Sequence, residues 1–189
     1  MDAIMLLTAD HNRVRGLFTK FKTARESDSV EEMTDVAAKI LVELDVHTQI
    51  EERVFYPAVR EADAELSEEV AEGMEEHHVV KTLASEVEAL PPGAEDWTAK
   101  VTVITELVEH HAEEEETTMF PRVKKAFDAN ALQQLGQKME AFKARLGMPT
   151  AKDKEQLTTA QLKQLATEQE IPGRSSMSRE ELVATVAPA

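Results

Sequence analysis

The chain has 189 residues, with 21 basic against 37 acidic side chains and a net charge of −16. It contains no cysteine, which excludes disulfides, thiolate-held zinc, iron–sulfur clusters and thiol catalysis, and is compatible with a reducing cytoplasm. The acidic excess argues against a general nucleic-acid or anionic-membrane binder and suits a protein that handles cations; no apolar run approaches the roughly 20 residues of a membrane span, and the N-terminus lacks a basic-then-apolar signal pattern.

Gly and Pro are scarce and alternating β-branched runs are missing. Ala, Leu, Glu, Lys and Gln dominate, so long helices are the default. The first helix runs roughly from Asp2 to Ala24. Ser27 or Ser29 is placed to cap the second, which continues to about Ala62. Ser67 is placed to cap the third, which stops at Pro91-Pro92-Gly93. The fourth starts near Asp96 and runs to about Lys125, and a shorter fifth spans about Ala129 to Leu146. Short connections make successive helices antiparallel. This predicts an all-α, up-down-up-down four-helix bundle with one additional short helix over residues 1–146. Gly147-Met148-Pro149 and the polar run after it read as a linker over 147–155. Residues 156–189 read as a small separate helix–loop–helix unit. Its helices span Thr159–Gln169 and Ser178–Val186, the turn is Ile171-Pro172-Gly173-Arg174, and Ser178-x-x-Glu181 is a capping-box pattern.

Each long helix carries an inward stripe at 3–4 spacing. The stripes are Ile4, Leu7, His11, Val14, Phe18, Phe21; then Val36, Ile40, Leu44, His47, Glu51, Phe55; then Val70, Met74, His77, Val80, Ala84, Val87; and Val101, Ile104, Val108, His111, Glu115, Met119. A histidine interrupts every stripe near its middle, and on the second and fourth a glutamate follows one turn later. Buried ionisable groups need partners. Four His and two Glu in one interior form a donor set suited to iron, zinc or manganese. His-x3-Glu places both groups on one helix face, so two such pairs and two single His can hold two metals, with the carboxylates bridging.

Glu fills 28 of the 189 positions, so this spacing alone says little. An internal repeat says more. His47-x3-Glu51-Glu52-x3-Tyr56-Pro57 aligns with His111-x3-Glu115-Glu116-x3-Phe120-Pro121 at an offset of 64. Asp10-His11-x-x-Val14-x-x-Leu17 aligns with Glu76-His77-x-x-Val80-x-x-Leu83 at an offset of 66. The repeat favours His77 and His111 over their neighbours His78 and His110, which read as surface groups or as partners that orient a ligand.

On these residues, over roughly 1–145, the chain resembles the hemerythrin-like HHE cation-binding family. The resemblance implies a non-haem di-iron centre, two Fe per chain, carboxylate- and oxo/hydroxo-bridged. His11, His47, His77 and His111 would be terminal ligands, and Glu51 and Glu115 bridges. Oxygen carriers of the family have a further His four residues after the third-helix ligand, where this chain has Lys81. The more symmetric, more open centre that results would favour peroxide, nitric oxide or redox chemistry. The expected function is therefore binding of O2, H2O2 or NO in a cytoplasmic peroxide, redox or gas stress response or in sensing, with catalase-like turnover left open. The alternative is a non-redox protein that stores iron or holds zinc.

Other residues carry two readings each. Glu52 and Glu116 are outer groups, extra ligands or surface positions. Tyr56 is a phenolate ligand, an electron donor or a rim aromatic. Met5, Met33, Met74 and Met119 read as core or rim packing. Phe18, Phe55 and Phe120 would wall the metals off from water, and Pro57 and Pro121 would kink or end their helices beyond the site. Residues 157–182, with Ile-Pro-Gly-Arg-Ser before a capped helix, are similar to the Rho-termination-factor N-terminal-like, SAP-like module. Its 150–189 segment holds five basic and six acidic residues, which fits recruitment of a protein partner better than nucleic-acid binding.

Overall fold

The computed structural model describes residues 1–148, 157–168, 171 and 173–186. Most of the expected linker, 149–155, lies outside the described residues, as do Gln169 and Pro172 of the expected C-terminal helix and turn. The described elements are helical: α1 Ala3–Glu26, α2 Val30–Ile50, α3 Tyr56–Ala62, α4 Ser67–Ala89, α5 Glu95–Glu114, α6 Phe120–Ala126, α7 Ala129–Arg145, α8 Thr159–Glu168 and α9 Arg179–Thr185. The protein is all-α, as its periodicity predicts. Among the described residues no helix is long and apolar enough to cross a membrane.

Local chemistry sets most boundaries. Asp2 and Asp128 cap α1 and α7 by accepting from the backbone N–H of Met5 and Ala131. Asp28 takes a left-handed conformation (φ 52°) in the turn before α2. Ser29 occupies the cap position of α2 but makes no side-chain cap bond. Ser67 does not cap α4. A short 3₁₀ turn, Ala64–Leu66, feeds directly into the helix, so Ser67 is already helical, and Asp63 caps the turn instead.

The prolines act at the site, not beyond it. Between α2 and α3, Glu51–Phe55 form a wide π turn in which the Tyr56 N–H donates to the Glu51 carbonyl five residues back. Glu115–Met119 do the same between α5 and α6, with Phe120 donating to Glu115. Pro57 and Pro121 have no N–H to give to the carbonyl four residues back and crowd it sterically; a π turn accommodates this within a continuous helix. The wide turn also keeps Glu51 and Tyr56 both buried, while Pro57 faces outward.

Two apolar clusters fill the bundle. One contains Leu7, Ile50, Phe55, Val70, Met119 and Phe120, and the other Val14, Ile40, Leu44, Val80, Val101 and Ile104. On each of α1, α2, α4 and α5, the histidine falls between residues of the two clusters. The stripes hold with one exception. Met74 is 38% exposed, and the inward position belongs to its neighbour Gly73. Met5 is likewise exposed, whereas Met33 and Met119 are buried.

α7 closes the end of the bundle at the first cluster through Leu132, Leu135 and Met139. The start of the chain crosses it at Gly136, where a Cβ would lie 2.5 Å from the Met1 carbonyl oxygen. α8 and α9 share a small core of Leu162, Ala166, Ile171, Leu182, Val183 and Val186. The Ser178–Glu181 capping box is formed, and α9 packs against α1.

Candidate metal centre

The six inward His and Glu side chains meet midway along the bundle, all at least nine-tenths buried. The imidazoles form two pairs, His11 with His47 and His77 with His111, each with ring centroids 4.9 Å apart. Each glutamate reaches from one pair to the other. Glu51 Oε2 lies 3.2 Å from Nε2 of both His47 and His77. Glu115 Oε2 lies 3.4 Å from His11 Nε2 and 3.8 Å from His111 Nε2. One group of four residues (His11, His47, Glu51, Glu115) and one of three (Glu51, His77, His111) could each hold a metal ion, sharing Glu51.

The donors fit a metal. His11 Nε2, both Glu51 oxygens and Glu115 Oε2 are buried and make no hydrogen bond. A folded protein rarely leaves such atoms unpaired. Their convergence on one another without bonding is what ligands around a cation require.

Three outer carboxylates hold imidazoles, and a fourth faces the remaining one. Nδ1 of His11 bonds Glu116 at 2.8 Å, that of His77 bonds Glu52 at 3.1 Å, and that of His111 bonds Glu76 at 2.5 Å. Asp10 stands 3.9 Å from His47 Nδ1, too long for a hydrogen bond. The arrangement follows the repeat. The residue before the first His of each half faces the second His of that half, and the residue after each central Glu holds the first His of the other half. Such partners fix the tautomer and direct Nε2 inward. Sequence reasoning weighed Glu52 and Glu116 but missed Asp10 and Glu76, although both stand in the aligned Asp10-His11 and Glu76-His77 pairs.

Cationic side chains hold three of these carboxylates: Arg15 on Glu116, Lys81 on Glu52, and Arg13 and Lys143 on Asp10. Lys81, at the position of the carriers' extra His, thus acts on His77 through Glu52. Lys143 comes from α7 and is buried. Burial pulls its pKa down against the pull of Asp10. Lys143→Met is expected to cost about 2 kcal/mol in urea unfolding, because Arg13 remains on Asp10. A loss near zero would mean that α7 does not brace the site.

Tyr56 is not at the rim. It is 2% exposed, its hydroxyl donates to Glu115 Oε1 at 3.1 Å, and its ring stacks on His77 at 5.6 Å. Phe120, its counterpart in the repeat, stacks on His11 at 5.9 Å and meets Phe55 edge-on. Gly73 makes room here, since a Cβ would come within 2.9 Å of the Tyr56 hydroxyl. Phe18 packs in the far cluster, away from this wall. His78 and His110 are exposed, and neither is among the groups bonded to the four imidazoles.

Protonation is uneven. Burial pushes the Glu51 carboxyl well up, and the charge of Glu115 adds to it. Burial also pushes Glu115 up, but His11, 3.4 Å away, and the surrounding imidazoles outweigh it and hold Glu115 below the usual carboxylate range. Burial pulls His11 down, yet Glu115 and Glu116 prevail and raise it to about 9. His47 is driven by burial down to about 4.

A helical bundle with four imidazoles and two carboxylates converging in its interior defines a metal-binding protein of the hemerythrin type. Residues 2–123 match the hemerythrin HHE cation binding domain, and the chain belongs to that family. It is 31% identical over 142 residues to "Uncharacterized protein Rv2633c" of Mycobacterium tuberculosis, a match spanning 75% of this chain and 84% of that protein. It is 26% identical over 141 residues to a protein of Nostoc named "DNA nickase", of which the match spans 39%. A crystal structure from Mycobacterium kansasii, a hemerythrin HHE cation binding domain-containing homologue of Rv2633c, shares the fold. Its TM-score is 0.66 at 24% identity, covering 98% of this chain and 99% of that one.

Proposed function

We propose that this chain is a non-haem di-iron protein that binds dioxygen, hydrogen peroxide or nitric oxide in a cytoplasmic peroxide or redox stress response. His11, His47, His77 and His111 are its terminal ligands and Glu51 and Glu115 its bridges. The observation that carries this reading is the buried convergence of two imidazole pairs on two carboxylates that span them, with donor atoms left unpaired. A nitrogen and oxygen donor set without thiolate suits iron. Iron bound there supplies redox and Lewis-acid chemistry.

The chain's own residues set the terms of that chemistry. Glu116, Glu52 and Glu76 accept the Nδ1 protons of His11, His77 and His111 and leave Nε2 facing inward. Phe55 and Phe120 exclude water on one side. The cavity lined by Gly73, His111 and Glu115 gives a small ligand room beside Tyr56. Burial raises the Tyr56 pKa well above the usual range, so its hydroxyl keeps a proton and holds it on Glu115. The net charge of −16 opposes a polyanion, and this reading gives DNA no role. The segment 156–189 would serve to recruit a protein partner.

Metal analysis with optical spectroscopy tests the reading. We expect two irons per chain and a near-ultraviolet band that shifts on adding azide or peroxide. Ferrous reconstitution that leaves no stoichiometric metal would overturn it. Two zinc ions with no response to peroxide would instead select a non-redox storage or zinc protein.

A further inference from the structure

The buried centre is walled by charge on three of its four corners. Outside Glu116 stands Arg15, outside Glu52 stands Lys81, and outside Asp10 stand Arg13 and Lys143. A cation approaching any of these corners meets a fixed positive group. The fourth corner differs. There Glu76 forms its ion pair with an imidazole, that of His111 at 2.5 Å.

A cavity of about 130 Å³ opens at this corner, between α4 and α5. Its exposed end carries Glu72 and Glu114, with Glu69 beside them engaged by Arg122. Its buried end is formed by His111 and by Glu115, which is 2% exposed and whose Oε2 makes no hydrogen bond. The missing side chain of Gly73 leaves the space between. At roughly 30 Å³ per water, the volume accommodates a cation with part of its hydration shell.

Ligand-capable groups also meet at the outer end. One atom each of Glu76, His110 and Glu114 lies within 4.8 Å of the others, and His110 Nε2 is 3.5 Å from Glu114 Oε1. His110 and Glu114 stand one turn apart on α5, and Glu76 comes from α4. Glu76 is shared, because it also holds His111 Nδ1. A cation at Glu76 is therefore one side chain away from the buried set.

We propose that Glu76, His110 and Glu114 form an outer divalent-cation site, and that this site loads the buried centre through the cavity lined by Glu72, His111 and Glu115. The inference rests on the two-metal reading above and adds the path by which the ions arrive. The acidic lining admits cations and repels anions, and its field raises the arrival rate of the ions it attracts.

The test uses the full chain, stripped of metal by chelation and mixed with Co²⁺ alone in a stopped-flow instrument, with d–d absorption read over time. The H110A/E114Q double variant is expected to load about tenfold more slowly, in line with loss of electrostatic focusing. Its melting temperature and the final occupancy of the buried centre should stay at wild-type values, since both residues are exposed and neither belongs to the buried donor set. E113Q removes a charge of the same sign from an exposed neighbour outside the cavity and should load at the wild-type rate. E72K should slow loading as the double variant does. A wild-type rate in both H110A/E114Q and E72K, or equal slowing by E113Q, overturns the route and leaves the buried centre standing. A wild-type chain that takes up no Co²⁺ overturns both.

Discussion

Replacing Glu51 with leucine is expected to give a chain that no longer holds a pair of ions, yet whose metal-free form is more stable than the metal-free wild type. Glu51 is fully buried, and neither oxygen has a hydrogen-bond partner. It is also the residue common to both potential metal groups. With ions bound, its carboxylate joins the two halves. Without them it is a desolvated acid beside a second acid, Glu115, which is why a proton is retained on it. Exchanging such a group for a packed apolar side chain stabilises by about 1–4 kcal/mol. Metal content and urea unfolding of both metal-free proteins check this. A Glu51→Leu chain that still binds two ions, or whose metal-free form is weaker than wild type, would sink the assignment of Glu51 as a bridge.

Metal affinity is expected to rise steeply with pH, with protons released on loading. At pH 7 the metal-free centre carries a proton on His11, raised to about 9, and the upward shift of the buried Glu51 adds to the protons that compete with a cation. A cation must displace the His11 proton, so at least one proton should leave per loaded chain and affinity should climb about tenfold or more per pH unit from about 7 towards 9. A pH-indicator titration in weak buffer reads the protons directly. Release of none would contradict the protonation pattern.

The same groups shape the stability of the metal-free bundle. His11 and Glu51 have raised folded-state pKa values, so the stability they contribute is complete at low pH and is lost as pH climbs through those values, for His11 near 9. Glu115 and His47 are depressed. Their contribution is lost as pH falls, for His47 between about 6.5 and 4. The metal-free melting temperature should therefore peak near neutrality and fall on both sides, while the loaded protein, with its donors held by metal, should vary less.

Much of this site could be read along single helices. His47 with Glu51 and His111 with Glu115 are one turn apart, and one turn is a distance the backbone sets by itself. The repeat around them located the matching His11 and His77. The outer ring was only half visible. Glu52 and Glu116 stand next to residues already singled out, but Asp10 and Glu76 act on histidines of the following helix, and the carboxylates gave no local sign of that. Gly73 was hidden for another reason. A stripe traced by apolar side chains lands on Met74, because glycine has no hydropathy to trace, yet the centre needs space at that position. Lys143 was invisible altogether. It looks like any solvated lysine of a short helix, and its partner Asp10 is 133 residues away.

The amino-acid order by itself determined that this protein is helical, where each helix starts and stops to within a few residues, and which face of each carries imidazole and carboxylate. Those properties depend on backbone periodicity and on groups within a turn of one another. Only the tertiary structure decided which imidazole meets which carboxylate, which corner is closed by Arg15, Lys81 or Lys143, and which is left open at Glu76. Those pairings depend on how four helices pack side by side, and spacing along one chain segment carries no record of the distance to another.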